Sequence, residues 1–152
     1  MNNRKIQIEQ LEKKIKIYSS TKKVAEPPTG WLKAIRLALG MTLQQLADKL
    51  NITKQSVMEV ERREKEGSVT IKTLRETAKA LDMELVYGLV PKDGTLENLI
   101  ERKARELAYK IVSRTSNTIQ LEDQENSKER IEKAINERVA TLKHELPKML
   151  WD

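Results

Sequence analysis

Cysteine is absent from this chain, and so is phenylalanine. Without cysteine there can be no disulfide and no thiolate metal site. Aromatic residues make up only 3% of the chain, so its core must be built from Leu, Ile, Val, Ala and Met. The single histidine, His144, stands in a charged helical stretch outside any recognisable catalytic or ligand motif, which suits a surface residue rather than a base or ligand. Glycine-rich phosphate loops, nucleophile motifs and clusters with metal-ligand spacing are also missing, so a non-enzymatic protein without cofactor or metal is expected. No apolar run approaches membrane-spanning length and no signal-peptide core opens the chain, which points to a cytoplasmic protein.

Charge is what the chain has in quantity. Charged residues are 34% of its 152 residues, with a net charge of +6 and a pI near 9.5. The excess is uneven. Arg4, Lys5, Lys13, Lys14, Lys16, Lys22 and Lys23 outnumber Glu9, Glu12 and Glu26, whereas residues 95–126 are slightly acidic. A basic half suits a polyanion partner, although solvated helix faces account for many single lysines equally well.

The few glycines, prolines and small polar residues act as punctuation. Between Gly40 and Glu61 they outline two short helices joined by a tight turn, GMTLQQLADKLNITKQSVMEVE. Thr42 and Gln45 form a capping box for the first helix, and Met41 with Leu46 a hydrophobic staple. Thr53 caps the second, with Ile52 and Val57 as its staple. Asn51 lies at the turn, where a left-handed residue is required. Leu46, Ala47 and Leu50 on one helix, and Val57 and Val60 on the other, give apolar faces at helical spacing. This is the layout of a helix-turn-helix, whose second helix enters a DNA major groove.

The flanking sequence reads as further helices. Residues 3–18 place Ile8, Leu11, Ile15 and Tyr18 on one face, and Pro27 and Pro28 close a linker. Thr29 is expected to cap a helix to Leu39 with Trp31, Leu32, Ile35 and Leu39 inward, ended by Gly40. After Gly67, Thr70 caps a helix carrying Ile71, Leu74, Ala78 and Leu81. Glu84–Val90, stopped by Pro91, reads as a strand. A lone strand needs a partner, and antiparallel pairing with a second copy is the simplest one, which makes Leu85, Val86, Tyr87 and Leu89 candidate dimer residues. Thr95 caps a long helix with Leu96, Leu99, Ile100, Ala104, Leu107, Ala108, Ile111 and Val112 as its stripe. A last helix from about Ser127 carries Ile131, Ile135, Val139, Leu142 and Leu146. The expected fold is therefore mainly α: a phage-repressor-like helix-turn-helix domain with one short β-strand and a C-terminal helical extension. Its divisions fall at 1–28, 29–83, 84–91 and 95–152.

The DNA-facing residues follow from the motif. The cap Thr53 and the start and outward face of the second helix, Lys54, Gln55, Ser56, Met58 and Glu59, would meet the bases. Gln pairs with adenine, Lys donates to guanine and Glu accepts from cytosine. Amides near Thr42 and Gln44 would hold a phosphate, with Arg62 and Arg63 as further phosphate contacts. Glu61 opposes phosphate and is expected to face inward in a structural role.

The motif resembles the phage-repressor class called XRE. Within it, PPTGWLKAIRLALGMT, ELVYGLVP and the terminal LWD are similar to the family named mobile mystery protein A, from about Pro27 to Asp152. That resemblance implies a transcriptional regulator encoded beside a Fic-domain protein, an autorepressor and the regulator or antitoxin half of such a pair. With the strand pairing, the expected protein is a homodimeric repressor on an inverted-repeat operator in double-stranded DNA. Two positions depart from the XRE pattern: Leu43 and Lys54 stand where glutamines usually buttress the recognition helix. Gln55 matches a base-contacting position. Fic inhibitors share a short helical motif, Ser or Thr, three residues, Glu, then Gly or Asn. Thr118 and Glu122 match it, with Asp123 replacing the last residue. This resemblance implies an alternative, a direct inhibitor that sequesters a Fic-domain toxin through residues 95–152, with DNA binding secondary.

Overall fold

The computed structural model describes residues 3–116 and 124–152, with side chains for 3–115 and 128–152. Thr118 and Glu122 lie outside the described residues. The chain forms two compact units. Thr21–Gly88 makes one, and the residues up to Ser20 with Leu89–Asp152 make the other.

The Thr21–Gly88 unit holds four helices: α2 (Trp31–Ala38), α3 (Leu43–Leu50), α4 (Lys54–Glu66) and α5 (Ile71–Ala80). Leu32, Leu46, Ala47, Val57 and Leu81 form its buried core, edged by Ile35, Met41, Leu43, Leu50, Val60 and Leu74. Fully buried Ala47 has no side chain beyond Cβ, so α3 lies close to its neighbours. Each of the four helices ends in one way. Gly40, Asn51, Gly67 and Asp82 take positive φ. The amide after each one bonds back to the carbonyl five residues earlier, as in Ile52 N to Ala47 O at 3.1 Å and Met83 N to Ala78 O at 2.8 Å.

Two expectations for α2 are corrected. Its N-cap is Gly30 rather than Thr29, and no side chain of its own caps it. The Glu64 carboxylate, from α4, accepts from Trp31 N at 3.0 Å and Leu32 N at 2.8 Å instead. A Cβ at Gly30 would come within 2.8 Å of Glu64 Oε1, so the cap needs glycine there. Trp31 and Leu39 are exposed, and the inward positions are Leu32, half-buried Ile35 and Arg36. An eight-residue helix presents one narrow stripe, and here Arg36 takes its third place.

The expected strand is also corrected: residues 84–90 form no strand, and no strand occurs among the described residues. A strand exists only through its ladder partner, and a single copy supplies none. Val86 is 73% and Leu89 88% exposed, so these side chains do not fill a core either.

The other unit is built on α6 (Leu96–Ser116) and α7 (Gln124–Glu145). The helices run antiparallel, since Glu101 near the start of α6 pairs with Lys143 near the end of α7 at 2.7 Å. Ala104 and Ala108, one turn apart and fully buried, allow close approach to Val139, Leu142 and Leu146. Leu146 takes φ 46, which turns the chain out of α7 and drops Leu150 into the same core. Helix α1 (Asn3–Tyr18) adds Ile8 to that core. Leu11, expected on the same face, is exposed. Its neighbour Glu12 turns inward and caps α6 by accepting from Leu96 N. No described helix is long and apolar enough to cross a membrane.

Candidate DNA-binding face

The face begins with the two helix starts. Thr42 Oγ1 accepts from Gln45 N at 3.1 Å while Gln45 Oε1 accepts from Thr42 N at 2.8 Å, completing the capping box. Thr53 Oγ1 accepts from Ser56 N at 3.1 Å and lies 2.8 Å from Ser56 Oγ. Asn51, at φ 55 and ψ 44, turns the chain between them. These local bonds fix where the first turn of α4 points.

That turn is open to solvent. Lys54, Gln55, Ser56 and Met58 are all exposed, and only Val57 between them is buried. No side-chain hydrogen bond engages Lys54 or Gln55 within the described residues, so both are free for a ligand. Gln44 is exposed on α3, where its amide donates to Asp48 Oδ1 at 2.8 Å. Leu43, which replaces a polar buttress, packs on the apolar core instead. The start of α3 is thus held by its capping box and by burial.

Behind the exposed turn lies a buried ion pair that only half emerged from sequence. Glu61 faces inward, as expected of a structural residue. Its partner is Arg36 of α2: Nε donates to Oε1 at 2.5 Å and Nη2 to Oε2 at 3.2 Å. Arg36 Nη1 also donates to Met41 O at 3.1 Å, which ties the α2–α3 turn to the pair. Both side chains are 6% exposed. A bidentate pair of this kind fixes the roll of α4 about its axis, and so which side chains it presents. The signal for Arg36 in the sequence was a basic residue four positions after Leu32, on the apolar face.

Arg62 and Arg63, expected to reach phosphate, are exposed but engaged within their own helix. Arg62 Nε donates to Glu59 Oε2 at 3.0 Å and Nη1 to Glu66 Oε2 at 2.6 Å, and Arg63 Nε donates to Glu59 Oε1 at 3.2 Å. The Arg62 hydrogen bond, reinforced by the charges of Arg62 and Arg63, holds the Glu59 carboxyl below its ordinary value of 4.5. Glu59 is therefore a carboxylate at neutral pH.

No curated protein and no solved structure matches the chain. Residues 32–87 match the family model HTH_3, described as Helix-turn-helix. This stretch runs from the buried Leu32 through α3 and α4 to Tyr87, and so covers the capped helix starts and the exposed turn of α4. The chain therefore carries an XRE-type helix-turn-helix domain, the module of DNA-binding transcription regulators.

Proposed function

We propose that this protein is a sequence-specific, non-enzymatic repressor that binds an inverted-repeat operator as a homodimer. The observation that carries the reading is the exposed first turn of α4, with Lys54 and Gln55 unengaged and projecting from a helix joined to α2 by the Arg36–Glu61 pair. Gln55 is the principal base reader, since its amide both donates and accepts and so suits adenine. A two-fold dimer would set its recognition helices ~34 Å apart, in successive major grooves on one face of the duplex. Exposed Val86, Tyr87 and Leu89 and half-buried Leu85 support self-association, because they offer apolar side chains and backbone groups with no helix around them. The resemblance to mobile mystery protein A supports autorepression of an operon that also encodes a Fic-domain protein. Direct inhibition of that protein through residues 95–152 is the second reading, favoured by the α6–α7 hairpin being part of a unit distinct from the helix-turn-helix.

The test is a salt-series titration against the DNA just upstream of the gene, with a scrambled duplex as control. Specific binding should exceed the control by ~10³-fold or more. Gln55→Ala should lower that ratio by relaxing preference at one base position, a loss of about 1–3 kcal/mol in discrimination. Equal affinity for both duplexes would overturn the repressor reading.

A further inference from the structure

The charges of α4 balance: four basic residues (Lys54, Arg62, Arg63 and Lys65) face four carboxylates (Glu59, Glu61, Glu64 and Glu66). A recognition helix with no net charge is a poor polyanion ligand unless its carboxylates are occupied. Two of them are taken by other parts of the domain. Glu61 is buried on Arg36, and Glu64 caps α2. The remaining two, Glu59 and Glu66, are both spent on Arg62, and Glu59 also on Arg63. The arginines therefore meet approaching phosphates already paired.

Position makes Glu59 different from Glu66. It stands four residues after Gln55, and on a helix residues four apart lie on one face. When Gln55 enters the groove, the Glu59 carboxylate follows it toward the base edges. There it can accept from the amino group of cytosine. A carboxylate that turns to cytosine loosens its hold on the arginines.

We propose that Glu59 is a specificity-determining residue that clamps Arg62 and Arg63 away from phosphate until a matching base draws its carboxylate off. On mismatched DNA the clamp stays shut and backbone affinity is low. On a matching site one event adds a base contact and releases cations to phosphate. Base reading and phosphate binding are thereby coupled through a single side chain. The inference rests on the DNA-binding reading and adds to it a mechanism for suppressing non-specific binding.

The experiment uses the full chain and two duplexes, the scrambled one and the one upstream of the gene, titrated across a salt series. Glu59→Gln keeps the shape and removes the charge. It should raise affinity for the scrambled duplex several-fold and steepen its salt dependence by about 0.9 for each arginine released. The ratio of upstream to scrambled affinity should fall. Glu66→Gln, which frees Arg62 from one of its two carboxylates, should give a smaller steepening. Glu76→Gln, an exposed carboxylate on α5 with no ion-pair partner among the described residues, removes the same charge and should leave the slope unchanged. An unchanged slope for Glu59→Gln, or an equal change for Glu76→Gln, overturns the clamp while wild-type binding still upholds the DNA reader. A wild-type protein that binds neither duplex overturns both.

Discussion

At the scale of single residues, the buried Arg36–Glu61 pair matters most to the geometry of the DNA-binding face. Two charges taken out of water are tolerable only because each satisfies the other and Met41 O takes a third hydrogen bond. Removing one partner leaves an uncompensated buried ion. Glu61→Ala should therefore cost about 3–5 kcal/mol, while Arg36→Met with Glu61→Leu should cost far less. Urea unfolding followed by circular dichroism separates the cases, and equal losses for the single and double variants would show that packing, not charge, sets the cost. The double variant should nevertheless discriminate less between the upstream and scrambled duplexes, because apolar side chains do not fix the roll of α4 as a bidentate bond does. Glu61 was legible as inward because a carboxylate on a DNA-facing helix is otherwise repelled. Arg36 was legible only as a basic residue on the apolar face of α2, four positions after Leu32; its partner on another helix was not.

At the scale of elements, helix ends were the most legible feature. Thr42, Thr53, Thr70 and Thr95 all cap as their spacing requires, because a cap is a bond between residues three apart. The start of α2 was not legible, because its capping carboxylate comes from Glu64, more than thirty residues away. The α6–α7 hairpin shows the same division. Its stripes predict two amphipathic helices, but the Glu101–Lys143 pair depends on their antiparallel alignment. Lys143, bonded to it, and then Arg105 hold the Glu101 carboxyl below its ordinary value of 4.5. A depressed value in the folded state means that the contribution to stability is complete above the ordinary value. It is lost as pH falls through the folded one. Wild-type protein should lose more thermal stability between pH 5 and about pH 3 than Glu101→Gln does. Parallel losses in the two would remove the pair from the acid response. The partly exposed setting limits the whole effect to about 1 kcal/mol or less.

At the scale of the whole molecule, the chain leaves one unit after Ser20 and returns to it at Leu89, so the helix-turn-helix unit is an insertion between two parts of the other. Pro27 and Pro28, expected to close a linker, lie inside the helix-turn-helix unit, and the apolar run Leu85–Val90, expected as an element in its own right, spans the return at Leu89. Whether that run becomes a strand is a question of partners. Val86→Pro removes an amide that a ladder would use. If the proposed pairing forms, sedimentation should show dimers for the wild type and monomers for this variant. A dimer that persists would leave the exposed Val86 and Leu89 without a role in pairing.

What this sequence determined by itself is local: helix starts and stops, the left-handed turn at Asn51, the apolar stripes and the placing of Gln55 on an outward first turn. Bonds over three to five residues are encoded where they form, and so they can be read there. What only the tertiary structure decided is which distant charges meet. Arg36 with Glu61, Glu64 with the start of α2, and Glu101 with Lys143 all join residues from different helices. Their partners are chosen by how helices pack, and side-chain packing is a property of the assembled core. The Glu59–Arg62–Arg63 cluster falls between the two. Its spacing was visible, but the carboxylates it competes for were assigned only once Glu61 and Glu64 had been drawn away into the fold.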